Sequence, residues 1–219
     1  MSEEPSYSVR TLRDLVSEQA WAELTRYPSR PYPADRTLLQ QGAEGSHVLA
    51  LTSGLVKVVR TDRDGRQRLL AFRGPGEILG EMASLQEGGQ RLADVRTVST
   101  CKASLILAED FRRFVVTQQL AYPLAVLASG RLREQTEVYD GAVHERLAVA
   151  LVRLVEISAG EDTFALTREE LAQHIGVGRG SVSKALTQLG PERVEAAKNR
   201  VRVTDVEGLR RLLADAVGV

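Results

Sequence analysis

From Pro31 to Leu107 the apolar residues come in short runs broken by glycine: HVLALTSG, LVKVVRTDRDG, RQRLLAFRGPG and ASLIL. Runs of that length, with turn residues at their joints, predict a compact antiparallel β-structure. Asp64-Gly65, two residues that tolerate positive φ, predicts a hairpin within it. Ahead of these strands Leu12, Leu15, Val16, Trp21 and Leu24 give Val9–Tyr27 a helical period, predicting a lead-in packed on the sheet. Beyond Glu109 the period changes, and Asp110–Gln119 and Pro123–Tyr139 read as helices, with Pro123 at the first helical position. In heptads the second of these puts Ala125, Leu132 and Tyr139 on one stripe with Ala128, Gln135 and Ala142 beside it. That pattern fits either an amphipathic helix packed on its own domain or a dimer helix. Gly141 then offers a hinge. From His144 three helical segments follow, HERLAVALVRLVEIS, TREELAQHI and GSVSKALTQL, then short segments around RVEAAK and RVRVTD and a terminal helix, VEGLRRLLADAV. Helices followed by a hairpin predict a winged helix.

The segment from Thr167 to Leu189 carries the clearest chemistry. Thr167 caps a helix whose Glu170 stands three residues on, as in a capping box, and Leu171, Ala172 and Ile175 form its apolar face. Gly176 ends that helix with a positive φ, and Val177 plugs the gap to the next. The second helix buries Val182, Ala185, Leu186 and Leu189, leaving Arg179, Gly180, Ser183, Lys184, Thr187 and Gln188 outside. A helix-turn-helix puts the N-terminal part of its second helix in the major groove. There Arg179 can reach guanine O6 and N7, Lys184 lies further along the same helix, and Ser181 and the helix N-terminus suit phosphate oxygens. Gly176-Val-Gly-Arg-Gly has the look of a phosphate loop, but it joins two helices and no Gly-Lys-Ser/Thr follows, so nucleotide hydrolysis is not expected.

Charge sharpens this picture. The chain has 219 residues, enough for one large domain or two small ones, with 29 Lys plus Arg against 29 Asp plus Glu. A neutral molecule attracts DNA or anionic membrane only locally. Between Gly176 and Arg202 the cations Arg179, Lys184, Arg193, Lys198, Arg200 and Arg202 face only Glu192 and Glu195, a local +4. A basic patch on a neutral chain is the footprint of a DNA-binding module, with Lys198 and Arg200 in the hairpin as further contacts. The apolar runs are too short for a membrane span, and MSEEPSYSVR has no apolar signal region, so a cytoplasmic location is expected. Cys101 is alone, and His47, His144 and His174 are scattered, which leaves no metal site. No nucleophile, base and orienting group can be assembled, so no enzyme is expected.

In this order, the β-rich half, long helix and helix-turn-helix resemble the Crp/Fnr family of bacterial transcription regulators over nearly the whole chain. LLQQG ending at Gly42, Gly54-Leu-Val-Lys-Val, Asp64-Gly65 and Gly74-Pro-Gly-Glu-Ile-Leu-Gly80-Glu81 echo the family's cyclic-nucleotide-binding β-roll, and TREELAQHIGVGRGSVSKALTQL its DNA-reading motif. The resemblance implies an α+β fold: an N-terminal double-stranded β-helix (β-roll, or jelly roll) over residues 1–120, a long central dimerisation helix with a hinge over 121–142, and a C-terminal winged helix over 143–219. It also implies a homodimer on a palindromic double-stranded operator, RNA polymerase as protein partner, no membrane, and a cyclic nucleotide such as cAMP as candidate effector, although the sequence fixes no cofactor.

The implied effector residues are Gly80, whose segment opens a turn of N–H groups, Glu81 for a ribose hydroxyl and Arg91 for the phosphate. Leu92 replaces the small hydroxyl residue that usually follows that arginine. The base-contacting pair of the central helix has two registers: taking Arg131-Leu132 as the landmark gives Gln135 and Thr136, while counting from Arg146 gives Arg131 and Leu132 themselves. A mutual Glu81–Arg91 ion pair without any ligand is the structural alternative. Gly180 stands where the family commonly has a glutamate, which implies a different operator. Two other functions remain open at this point: an effector-independent regulator whose pocket Leu92 fills, and an effector-binding adaptor whose winged helix contacts protein.

Overall fold

The structure, a computed structural model, describes residues 11–134 and 141–217. Its first half is a β-roll of two four-stranded antiparallel sheets. One has the order β1 (Ser29–Tyr32), β8 (Cys101–Leu107), β3 (His47–Ser53), β6 (Ile78–Leu79); the other runs β2 (Thr37–Leu39), β7 (Asp94–Thr97), β4 (Val56–Thr61), β5 (Gln67–Arg73). Leu49, Leu51, Val56, Val95, Cys101 and Ala103 fill the space between them. Asp64 and Gly65 make the expected hairpin between β4 and β5, with Gly65 at φ 79°.

The lead-in divides into α1 (Leu12–Leu15) and α2 (Glu18–Thr25) instead of forming one helix. Ser17 breaks the chain by taking an extended conformation in which its hydroxyl caps Ala20 N–H of α2 at 3.1 Å. Leu12, Trp21 and Leu24 then pack with Val48, Ile78, Ile106 and Phe111 on the outside of the first sheet.

After α3 (Glu81–Ser84) in the roll and α4 (Ala108–Thr117), Gln119 at φ 52° separates α4 from α5 (Ala121–Glu134). The central helix therefore begins two residues before Pro123. A proline is tolerated anywhere in the first turn, where N–H groups have no acceptor within the helix. Helix α5 has two faces. Leu124, Leu127 and Arg131 lie against the roll, whereas Ala125, Ala128 and Leu132 are exposed, Leu132 at 66%. Gln135, Thr136 and Tyr139 lie outside the described residues.

The second half contains α6 (Val143–Ile157), β9 (Thr163–Phe164), α7 (Arg168–His174), α8 (Arg179–Leu189), β10 (Val194–Ala196), β11 (Val201–Val203) and α9 (Val206–Val217), with sheet order β10-β11-β9. This is a winged helix whose hairpin gains a third, two-residue strand. The two halves share one apolar cluster, in which Leu55, Phe72 and Val98 of the roll pack with Phe164, Leu166, Leu171 and Ile175. A Cβ on Gly74 would stand 1.7 Å from the Ile157 carbonyl oxygen, so the end of α6 approaches the roll where only glycine fits. The unpaired edge of β5 is met by Gln173 of α7, which accepts from Leu69 N–H at 3.0 Å and donates to the Gln67 carbonyl at 3.3 Å.

Candidate functional site

Two places collect the residues singled out by the sequence, and they are built differently. In the roll, β6 runs into Gly80, whose φ of 85° turns the chain into α3. Glycine is required there twice over, because a Cβ would also stand 2.0 Å from a guanidinium nitrogen of Arg91. Arg91 is buried and donates to the Gly80 carbonyl at 2.7 Å and to the His47 carbonyl. Arg91 is thereby held against Gly80, the residue before Glu81, three positions that the resemblance singled out.

Glu81 takes a different partner from the expected one. It is buried and pairs with Arg131 of α5, which also reaches Glu77 at 2.9 Å and the Ile78 carbonyl at 3.2 Å. Glu77 is 2% exposed and meets Arg73 at 3.6 Å as well. Burial pushes the Glu77 carboxyl up, and Arg131 and Arg73 pull it back. In place of the alternative of a mutual Glu81–Arg91 pair stands a buried cluster in which one arginine ties the central helix to β6 and α3. Leu92 is 61% exposed and does not fill the interior of this chain, which corrects the expectation that it plugs a degenerate pocket.

Arg91 and Glu81 carry the chemistry for an anionic ligand bearing hydroxyls, and here both are engaged within the chain, Arg91 by two backbone carbonyls and Glu81 by Arg131, whose buried Nε has no hydrogen-bond partner among the described residues. Sequence reasoning used Arg131 as a landmark and missed it as the partner of Glu81 and Glu77. Carboxylates at i and i+4 in PGEILGE were the available signal.

The second place is the surface of the winged helix. Thr167 accepts from Glu170 N–H at 3.2 Å, and Glu170 accepts from Thr167 N–H at 2.9 Å, completing the capping box of α7. Gly176 has φ 66°, and Val177 packs on the core as predicted. Val182, Ala185, Leu186 and Leu189 are buried, while Arg179, Gly180, Ser183, Lys184, Thr187 and Gln188 are exposed and Ser181 is half-buried. The hydroxyls of Ser183 and Thr187 donate back to the carbonyls of Arg179 and Ser183, so toward a ligand they offer acceptor oxygens. Lys198 and Arg200 stand exposed in the turn between β10 and β11, closed by Ala197 N–H to Arg200 carbonyl at 2.8 Å. Of the basic patch, Arg193 pairs with Glu192 at 2.8 Å and Arg202 with Asp162 at 3.3 Å. Arg179, Lys184, Lys198 and Arg200 have no salt bridge among the described residues, and their charge is available to a partner.

Thr167 lines a cleft of about 300 Å³ between roll and winged helix, with Lys57, Arg96, Glu170, Gln173 and Asn199 of the wing turn. In this cleft Lys57 Nζ meets Glu170 at 2.6 Å and donates to the Ala165 carbonyl at 3.3 Å. Next to it His174 stacks edge-on against Phe72, ring centres 4.9 Å apart. Burial, with help from Arg153, lowers its imidazole to about 4. Among the described residues no group of three or more His, Cys, Asp or Glu could hold a metal, and no helix is long and apolar enough to cross a membrane.

Comparison with known proteins agrees with both halves. A family model described as a cyclic nucleotide-binding domain matches residues 29–118, and one described as a Crp-like helix-turn-helix domain matches residues 145–212. The chain is 34% identical over 185 residues to the cyclic AMP receptor protein of Thermus thermophilus, covering 82% of this chain and 85% of that one. It is 29% identical over 197 residues to the CRP-like cAMP-activated global transcriptional regulator of Mycobacterium tuberculosis, covering 82% and 85%. Its fold is similar to that of a CRP-family transcriptional regulator from Thermus thermophilus, with a TM-score of 0.63, 24% identity, and coverage of 84% and 96%. FixK2 from Bradyrhizobium japonicum gives 0.61 and 20%, with the same coverage.

Proposed function

The chain belongs to the Crp/Fnr family of transcription regulators, and from that premise we propose that it works as a cytoplasmic homodimer reading a palindromic operator under control of a cyclic nucleotide, not as an enzyme. The observation that carries the DNA reading is the exposed face of α8, where Arg179 and Lys184 have no salt bridge among the described residues, while Arg193 and Arg202 of the same patch are paired with Glu192 and Asp162. Arg179 reads a guanine edge, with Gly180 and Ser181 beside it on the first turn; Ser183 and Lys184 continue the face, and Lys198 and Arg200 hold phosphates from the wing. Thr167, beside Asn199 of the wing turn, is assigned to the same set of contacts. The exposed stripe of Ala125, Ala128 and Leu132 is assigned to the second copy. We assign residues 1–120 to the sensory roll, 121–142 to the central helix and hinge, and 143–219 to the winged helix. RNA polymerase is the protein partner the family reading supplies.

In the roll, Arg91 pairs with the cyclic phosphate and Glu81 accepts from a ribose hydroxyl, with Gly80 giving the close approach. Gln135 and Thr136, four and five residues beyond Arg131 in the sequence, are assigned to the base. Because Arg131 bridges Glu81 to α5, a ligand that takes hold of Glu81 perturbs the helix that sets the spacing of the two recognition helices. A two-fold reader needs its half-sites about one helical turn, ~34 Å, apart, so a modest rotation gains or loses binding.

A second reading is favoured by the backbone carbonyls that already hold Arg91: regulation without a cyclic nucleotide. Titration calorimetry with cAMP and cGMP separates the two. Heat from one of them, abolished by Arg91→Ala, supports the proposal, and a silent trace from both moves the assignment to the second reading. The adaptor alternative is tested by salt: binding to bulk duplex DNA that weakens steeply with salt excludes it, and salt-independent association with a protein alongside no DNA binding revives it.

A further inference from the structure

The hairpin between β4 and β5 carries more positive charge than a turn needs. From Arg60 to Arg68 the cations Arg60, Arg63, Arg66 and Arg68 face only Asp62 and Asp64, a local +2 on a chain whose charges balance. Asp62 is shared by two of them, 2.6 Å from Arg68 and 3.7 Å from Arg60. Asp64 serves the turn itself, its carboxylate accepting from Arg66 N–H at 3.0 Å. Arg63 and Arg66 stand in the turn beyond Thr61 and Gln67, the last pair of the ladder. Both are exposed, and neither has a salt bridge among the described residues.

Exposed arginines on a turn are ordinarily just solvated, and position is what gives these a partner. The hairpin belongs to the roll but lies against the reading domain, because Gln173 of α7 is bonded to its second strand at Gln67 and Leu69, immediately after Arg66. Three residues after Gln173 the chain turns at Gly176 into α8. The cleft beside this contact is lined by Gln67 and Leu69 of the hairpin, by Thr167 at the start of α7 and by Asn199. Asn199 lies between Lys198 and Arg200, so the hairpin and the basic wing turn border one cleft. The acidic groups that α7 brings there are Glu169 and Glu170, and Glu170 is held by Lys57. In a helix-turn-helix the first helix crosses the phosphate backbone while the second enters the major groove. A strand edge laid along that first helix stands beside the same backbone.

Resting on the DNA reading above, we propose that the sensory roll itself touches the duplex: Arg63 and Arg66 hold phosphates of the backbone that α7 crosses, extending the positive surface of α8 and the wing onto the first domain. A guanidinium offers paired donors that match phosphate oxygens. Such contacts position a protein on DNA without reading its sequence, and each adds affinity through the counterions it releases.

The test is the salt dependence of binding by the full-length chain, unaltered and with Arg63→Gln and Arg66→Gln together. Two duplexes are used, the one the unaltered chain enriches from random DNA and the same duplex altered at one guanine. The inference expects the slope of log affinity against log salt to become shallower by about two per subunit. The ratio of affinities for the two duplexes should stay the same, and so should the melting temperature, since both side chains are exposed. Arg63→Lys with Arg66→Lys keeps the charge and should keep the slope. Arg113→Gln removes an exposed cation from α4, which packs on the other sheet, and should leave the slope as it is. A slope unchanged by the paired Gln substitutions overturns the inference. A loss as large from Arg113→Gln overturns it too, because overall charge would then explain the effect. If the unaltered chain enriches no sequence, the DNA reading itself fails, an outcome distinct from either of these.

Discussion

The contact between roll and winged helix can be tested through Lys57 and Glu170. Lys57 Nζ lies 2.6 Å from the Glu170 carboxylate, with 7% of the lysine side chain and 20% of the glutamate exposed. Glu170→Gln keeps an acceptor for the capping box but leaves the ammonium buried without its counter-charge. Full burial of an orphaned charge costs ~3–5 kcal/mol. Partial exposure of Glu170 and the remaining bond from Lys57 to the Ala165 carbonyl reduce this to about 2–3 kcal/mol. Lys57→Met leaves the carboxylate, which can turn toward water, and should cost about 1–2 kcal/mol. Once either charge is gone the second change removes a liability, so the double variant should lose about 1–2 kcal/mol less than the sum of the single losses. Urea unfolding supplies the free energies. Trp21, the only tryptophan, reports on the roll, and far-UV circular dichroism reports on the helices of both halves together. A docked molecule shows coincident transitions by both probes. Strict additivity of the two substitutions, or two separated transitions in the unaltered chain, would refute the docked arrangement.

Other outcomes follow from the same structure. Arg131→Gln leaves Glu81 buried without its partner and Glu77 with Arg73 alone, and should cost ~3–5 kcal/mol at neutral pH, with part regained on mild acidification as Glu77 protonates, measured by urea unfolding across pH. His174 stays neutral in the folded chain because burial, then Arg153, holds it near 4 against 6.5 for the free side chain. Between those values the unfolded chain binds a proton that the folded one refuses, so stability falls as pH drops from about 6.5 to about 4, by about 3 kcal/mol in all, and His174→Gln should flatten that slope. Arg179→Ala should lose ~1–3 kcal/mol of discrimination at one base pair, seen as similar affinity for operator and a variant at that position. Lys198→Ala should instead weaken all duplexes alike and reduce the salt slope by about one.

Much of this was legible in the sequence because local rules decided it. The Asp64-Gly65 hairpin, the Thr167–Glu170 capping box, the turn at Gly176 and the buried register of Val182, Ala185, Leu186 and Leu189 each depend on neighbours within a few residues. Short-range competition misled where two signals overlapped. Ser17 satisfied the period of one helix yet capped a second, and Pro123 marked the first turn of α5 without marking its first residue. The interactions that escaped reading join residues far apart: Arg131 to Glu77 and Glu81, Lys57 to Glu170, Gln173 to the edge of β5. Nothing in a linear pattern distinguishes a charged residue on a solvated face from one aimed across a domain boundary. Leu92 shows the same limit from the other side, since its bulk suggested a plug and its position is exposed.

The central claim, a two-fold DNA reader whose binding answers to a cyclic nucleotide, is tested most directly by selection from a pool of random duplex DNA at near-physiological salt, with and without cAMP and cGMP. The account predicts enrichment of a palindrome with strict guanines opposite Arg179 in each half-site, strengthened or weakened by one of the nucleotides. A sequence enriched equally under all conditions would contradict effector control, and no enriched sequence under any condition would contradict the reader itself.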